Sequence, residues 1–200
     1  MKRRPRPFRP SGRLRHDTSG VVALEFALIL PAMLILYLGG IVILNAIACN
    51  RKVTITARAV ADLVSQSTVS STTAAEVDSE LSTASVILAP YSVTNATIRI
   101  SEVTTCPNLK SYVIWSRGLV GGASGAALTP GTTVTLPSSM TVQGVYFIFS
   151  EISYNYSPAA SFGFAVPNLL GDNVYMVPRN FTNIPCADCN AIPFDCSKAQ

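Results

Sequence analysis

The longest apolar stretch of the chain is an uncharged run over residues 26–50. It reads FALILPAMLILYLGGIVILNAIACN, which is 25 residues without a charged side chain. A helix of that length rises roughly 37 Å at 1.5 Å per residue, whereas the hydrocarbon core of a bilayer is about 30 Å thick. The pattern therefore predicts a membrane-spanning helix, which we place over residues 21–50.

The helical period continues beyond the uncharged run. Four apolar residues recur at spacings of four, three and four, as on one face of an α-helix: Val53, Ala57, Val60 and Val64. Polar side chains fall on the opposite face, where Arg58 and Asp62 have the spacing of an ion pair. The pattern predicts one continuous helix over residues 21–66, with its second half packed on a domain.

A second helical pattern follows a Ser/Thr-rich linker over residues 67–72. Thr73 and Glu76 have the spacing of a capping box, and Pro90 is a stop signal. Between them one face is apolar at helical spacing: Val77, Leu81, Ala84 and Leu88. The segment predicts a second helix that packs against the rest of the external domain.

Beyond Pro90 the pattern changes to that of β-strands. Segments rich in Val, Ile and aromatic residues lie at 96–104, 111–117, 145–156 and 173–177. Residues 118–131 match no phosphate-binding motif and are expected to form a long, glycine-containing loop that is a flexible surface hairpin. Two helices against an antiparallel sheet belong to the α+β class, and about 148 external residues are enough for one domain.

The net charge of +4 conceals three segments of different charge. Residues 1–20 carry seven basic side chains and one acidic side chain, for +6, whereas residues 53–200 carry −3. Because basic residues cluster before the span, the positive-inside rule places the N-terminus in the cytoplasm and the domain outside. A nucleic-acid-binding tail is the alternative, but only Phe8 interrupts the basic residues with an aromatic ring, and we expect no nucleic-acid partner.

Four of the five cysteines lie outside the predicted span: Cys106, Cys186, Cys189 and Cys196. An external domain lies in an oxidising space, where disulfides are expected, and four cysteines allow three pairings. The lone C-x-x-C at 186–189 is interpreted as a C-terminal staple, with a redox or zinc site as the weaker alternative. Cys49, after Ala46-Ile47-Ala48, leaves open a lipoprotein-like cleavage, which the length of the apolar run disfavours.

The chain lacks residues that many enzymes use for catalysis. The single histidine, His16, lies in the basic segment, so no imidazole is available for a hydrolase triad or a His-ligated zinc site in the domain. No pair of clustered acids replaces it. We therefore predict no catalytic residues, no cofactor and no metal.

One carboxylate, Glu25, lies at the start of the apolar helix. A charged side chain costs about 2.5–3.5 kcal/mol at a bilayer centre and less near the interface, so a partner is expected. Cleavage of the chain after Gly20 would create an α-ammonium on Val21, one helical turn from Glu25. Between staggered parallel helices, the amine of one subunit could then meet the carboxylate of its neighbour. Snorkelling of Glu25 to the headgroups is the simpler alternative.

This arrangement resembles the type IV pilin and pseudopilin pattern: a basic leader, Gly20, four apolar residues, then Glu25 and Phe26. More narrowly, it is similar to the TadE-like minor pseudopilins of tight-adherence (Flp) pilus systems. The resemblance rests on GVVALEFALILP at 20–31, with weaker matches at 51–54, 59–64, 151–158 and 175–179. It implies a pilin-like external domain, cleavage between Gly20 and Val21 by a prepilin peptidase, and a role for Glu25 and Phe26 in processing or assembly.

Together these patterns predict a leader over residues 1–20, a transmembrane helix over 21–50 and an external α+β domain over 51–200. The expected setting is the bacterial inner membrane, with a prepilin peptidase, other pilins or pseudopilins and the pilus assembly machinery as partners. Whether the protein enters the filament, caps it or only aids assembly stays open. A membrane-anchored periplasmic binding or envelope-structural protein is the alternative function.

Overall fold

A computed structural model describes residues 19–158, 160–189 and 194–198 of the chain. The predicted leader, with its basic residues and His16, lies outside the described residues except for Ser19 and Gly20. The first described element is the helix α1, Ser19–Ser65, which is 47 residues long and contains Pro31. It confirms the prediction of one continuous helix that includes the whole apolar run.

The second half of α1 packs on the rest of the chain. One helical stripe, Cys49, Val53, Ala57, Val60 and Val64, is buried, as the spacing of its last four members predicted. This stripe lies against the strands β5 (Tyr146–Asn155) and β6 (Leu169–Met176). The stripe and the sheet form one apolar core, which fixes the domain to the helix.

The predicted second helix is wrong in one respect, because it is two helices. The helix α2, Ala74–Ser82, begins at the expected capping box, and α3, Ala84–Leu88, follows after Thr83. The Thr83 N–H and hydroxyl both donate to the Glu80 carbonyl, at 3.2 and 2.6 Å, which tightens the chain into an i to i−3 turn. The four predicted apolar residues are all buried, so the face was identified correctly.

The sheet is antiparallel and confirms the α+β class. Its strands are β1 (Ala96–Thr105), β2 (Ser111–Val120), β3 (Ala123–Ser124), β4 (Thr133–Val134), β5 and β6. The spatial order is β3-β2-β1-β5-β6, with β4 paired to β2. The helices cover one face over Ile98, Ile100 and Ile148, and a smaller cluster around Val103, Val113 and Phe147 fills the other.

The predicted loop over 118–131 is wrong at its start. The strand β2 continues through Gly118 to Val120 and then turns back onto β3. Gly121 and Gly122 make this two-residue turn with φ of +61° and +86°, a conformation that glycine adopts without the steric cost of a Cβ. The expected hairpin is therefore present as a tight turn at the glycine pair, and the irregular part of the segment follows it.

Candidate functional site

The amino-terminal third of α1 projects away from the domain. Every residue from Gly20 to Tyr37 is exposed, and burial begins only at Leu38 and Gly39. This helix is long and apolar enough to cross a membrane, and it is the one such helix among the described residues. The bare segment is 18 residues long, about 27 Å at 1.5 Å per residue, which approaches the thickness of a hydrocarbon core.

Gly20, Val21, Glu25 and Phe26 all lie on this bare segment. Val21 and Glu25 are four residues apart on one helix, so they lie one turn apart on the same face. A methyl group added at Gly20 would meet no atom within 4 Å, so packing inside the chain does not require glycine there. The site is a linear feature of the helix surface and not a pocket.

Glu25 is exposed on the apolar surface of the helix. Within residues 19–158, 160–189 and 194–198, no side chain forms an ion pair or hydrogen bond with it. The ion pairs of the domain are elsewhere, at Arg99–Glu151, Arg117–Asp78 and Arg179–Asp62. A partner for this carboxylate must therefore come from solvent, from the leader or from another molecule.

The predicted ion pair between Arg58 and Asp62 is not the one that forms. Asp62 instead pairs with Arg179, near the end of the chain, and accepts a hydrogen bond from Gln66. Sequence spacing identified the acid but could not identify a base 117 residues away. The pair belongs to a longer connection between the C-terminal segment and the helices.

This C-terminal segment, residues 179–188, which we call the strap, ties several elements together. Its N–H groups at Arg179 and Ala187 donate to the carbonyls of Ser65 and Thr72, at 3.0 Å each. Asp188 accepts from the Ala74 N–H at 2.5 Å, at the start of α2. The strap thereby fixes the end of α1 relative to the start of α2.

The strap reaches the sheet at a buried carboxylate that the sequence analysis did not identify. Glu102 is 0% exposed, and its Oε1 accepts from the Ile184 N–H at 2.6 Å, while the indole of Trp115 donates to the Ile184 carbonyl at 2.7 Å. Burial raises the pKa of Glu102 to about 7, against the opposing effect of the Ile184 hydrogen bond. Its signal in the sequence was a lone acid in a strand whose one other charged residue is Arg99.

The cysteines outside the span form two pairs. Cys106, after β1, is bonded to Cys196, and Cys186, in the strap, is bonded to Cys189, the residue that follows the strap. The C-x-x-C is thus a local staple, and its two sulfurs are bonded to each other beside Asp188. Of the three pairings that the sequence left open, the structure has this one.

Cys49 is a free thiol, buried at 0% exposure on the stripe of α1 that contacts the domain. It lies in the interior of a continuous helix and packs in the same core as Val53 and Leu88. This placement gives it a packing role and counts against the lipoprotein-like alternative, which needs cleavage of the helix at that residue.

One comparison with known proteins bears on this helix. A family model described as TadE-like protein matches residues 20–62. Over this segment, the chain is similar to TadE-like proteins. The matched TadE-like segment begins at Gly20, includes Glu25 and Phe26, and covers most of α1, whereas the sheet lies outside it. No curated protein and no solved structure matches the chain.

Proposed function

We propose that this protein is a TadE-like minor pseudopilin that takes part in assembly of the tight-adherence pilus after a prepilin peptidase removes its leader. The observation that carries the proposal is Glu25 on a bare apolar helix, five residues after Gly20 and without a partner among the residues that the structure describes. The family match, which begins at Gly20, supports it. In this proposal the chain is a substrate of the peptidase, and its partners are other pilins or pseudopilins.

The proposed setting is the bacterial inner membrane, with the N-terminus in the cytoplasm and the disulfide-containing domain in the periplasm or outside the cell. The basic segment before α1 supports this orientation through the positive-inside rule. Two disulfides in the domain also fit an oxidising compartment. After cleavage, the α-ammonium of Val21 in one subunit would pair with Glu25 of a neighbouring subunit.

A second candidate is a membrane-anchored envelope protein that never enters a filament. It is favoured by the packing of α1, because the stripe from Cys49 to Val64 is already covered by the protein's own domain. In this alternative the bare segment is only an anchor, and Glu25 is neutralised at the headgroups. The two candidates differ in whether the chain is cut after Gly20.

The deciding experiment is N-terminal sequencing of the protein purified from membranes of its native host. The pseudopilin proposal expects a mature chain that starts at Val21, and an uncleaved chain favours the anchor. Gly20→Leu tests the same bond from the substrate side, at a position where an added Cβ atom would meet no atom within 4 Å. Normal processing of Gly20→Leu would contradict the proposed cleavage site.

A further inference from the structure

An apolar loop of the domain runs back along α1 toward the bare segment. In this loop, residues 160–168, the ring of Phe164 lies directly on Gly39. A methyl group added at Gly39 would come within 3.1 Å of two ring carbons of Phe164, so the absence of a side chain there allows the close contact. The loop thus contacts the helix inside the uncharged run 26–50 and not beyond its end.

The depth of Gly39 follows from helix geometry. A hydrocarbon core of about 30 Å takes about 20 helical residues. If the core begins at Phe26, it ends near Asn45, and Gly39 with Phe164 lies roughly 9 Å inside it. If the core begins at Gly20, it ends at Gly39. In either register the Phe164 ring reaches the boundary of the hydrocarbon or passes it.

The composition of the loop and its flanks fits a lipid environment. Residues 152–171 contain no charged side chain. Phe162, at 55% exposed, and Leu169, at 66%, carry apolar surface that the described part of the protein does not cover. Aromatic side chains are enriched at membrane interfaces, and the neighbouring Tyr91 packs edge-on against Tyr154 close to the same end of the sheet.

A groove separates the loop from α1. Ile43 and Ile47 line it from the helix, and Val166 and Pro167 line it from the loop, with a volume of about 480 Å³. Its rim away from the bare segment holds Asn50 and Arg51, and Arg51 is the first charged residue after the apolar run. The groove is therefore apolar along its walls and cationic where lipid phosphates would lie.

We propose that the loop 160–168 and the facing segment of α1 form a lipid-binding surface, immersed in the leaflet on the domain side of the membrane. An acyl chain occupies the groove, and its phosphate faces Arg51. The inference rests on the membrane anchoring in the proposed function, but it requires neither cleavage nor a filament. It explains why the loop is uncharged and why it packs on a glycine within the span.

The test uses single tryptophan substitutions in the full chain, reconstituted in phosphatidylcholine vesicles with or without dibrominated acyl chains, which quench tryptophan on contact. Phe162→Trp and Ile47→Trp report the loop and the groove. Val142→Trp, an exposed residue at the opposite end of the sheet, is the matched control. Tyr37→Trp on the bare segment reports the anchor. The single native tryptophan, Trp115, is buried in the domain and supplies the baseline.

We expect brominated lipid to quench the fluorescence added at positions 37, 47 and 162, and to leave Val142→Trp at the wild-type ratio. Quenching at 37 without quenching at 162 would overturn the lipid-binding surface and leave the anchor intact. The absence of quenching at 37 would overturn the anchoring itself. Dilution of the protein in lipid separates copies of the chain. If quenching at 162 appears only after dilution, a second copy covers this surface, and the proposal is contradicted.

Discussion

At the scale of single residues, the two carboxylates Glu25 and Glu102 are placed in opposite ways. Glu25 is exposed on an apolar helix without a partner in the described chain, whereas Glu102 is enclosed and holds the Ile184 N–H. Glu25 is therefore available for contact with another molecule, whereas Glu102 stabilises the fold. Substitutions at these two positions should therefore affect different measurements.

Replacement of Glu25 by alanine should impair pilus assembly in the native host while the protein still inserts in the membrane. The variant removes the carboxylate that would pair with an α-ammonium, and it makes the helix more apolar. Pilus number by electron microscopy and protein level in the membrane fraction are the measurements. Glu25→Gln is the matched control for charge and should behave like alanine. Normal piliation with either variant would contradict the amine–carboxylate pairing.

Replacement of Glu102 by glutamine should remove part of the pH dependence of stability. Between about pH 4.5 and 7 the folded wild type keeps a proton that the unfolded chain has released, because burial raises the pKa of Glu102. Its free energy of unfolding should therefore fall as the pH rises, by roughly 3 kcal/mol across that range. Glutamine keeps an oxygen for the Ile184 N–H but does not titrate.

The measurement is urea unfolding of the full chain in detergent micelles, followed by the fluorescence of Trp115, at several values across that pH range. The difference between wild type and Glu102→Gln cancels the groups that both proteins share. Equal pH slopes in the two proteins would show that Glu102 titrates in the folded state as it does in the unfolded chain.

At the scale of elements, the helices obey local signals closely. The Thr73 side chain accepts the Glu76 N–H at 3.3 Å, and the Glu76 carboxylate accepts the Thr73 N–H at 2.9 Å, so the predicted capping box is confirmed. The helix α1 likewise follows its apolar stripe over the predicted length. Strand ends were less well predicted, because pairing with a neighbour, and not composition, extends β2 to Val120 and β6 back to Leu169.

Removal of the cap should destabilise α2. Thr73→Ala deletes the acceptor for the Glu76 N–H and should lower the free energy of unfolding by about 1 kcal/mol. Ser79→Ala is the matched control, because it removes an exposed hydroxyl from the same helix without affecting a cap. Chemical denaturation of both variants in detergent measures the difference. An equal stability of the two variants would mean that Asp188, on the strap, is sufficient to cap this end.

At the scale of the whole molecule, the C-terminal segment holds the domain together. The strap contacts the end of α1, the start of α2 and the buried Glu102, and the Cys106–Cys196 bond anchors the chain after it to the sheet. These links join residues that are far apart in sequence, with a separation of 90 for this disulfide. Their loss should loosen the domain without affecting the bare segment of α1.

The two disulfides should differ in their effects. Cys106→Ser with Cys196→Ser opens a long loop and should cost roughly 4 kcal/mol of stability on the chain-entropy account. It should also abolish the shift in mobility between non-reducing and reducing electrophoresis. Cys186→Ser with Cys189→Ser is the matched control, because its loop is so short that the shift should persist. A shift that survives the first pair of substitutions would contradict the Cys106–Cys196 connection.

The sequence by itself determined the features that depend on near neighbours in the chain. The apolar run, the stripe of α1, the capping box and the placement of Gly20 and Glu25 are all set by spacings within a few helical turns. Tertiary structure alone decided the pairing of the cysteines, the partner of Asp62, the enclosure of Glu102 and the approach of Phe164 to Gly39. These contacts join segments that are mostly tens of residues apart in the chain. They form because the sheet, the strap and the helix bury a common core, and no local sequence pattern encodes that packing.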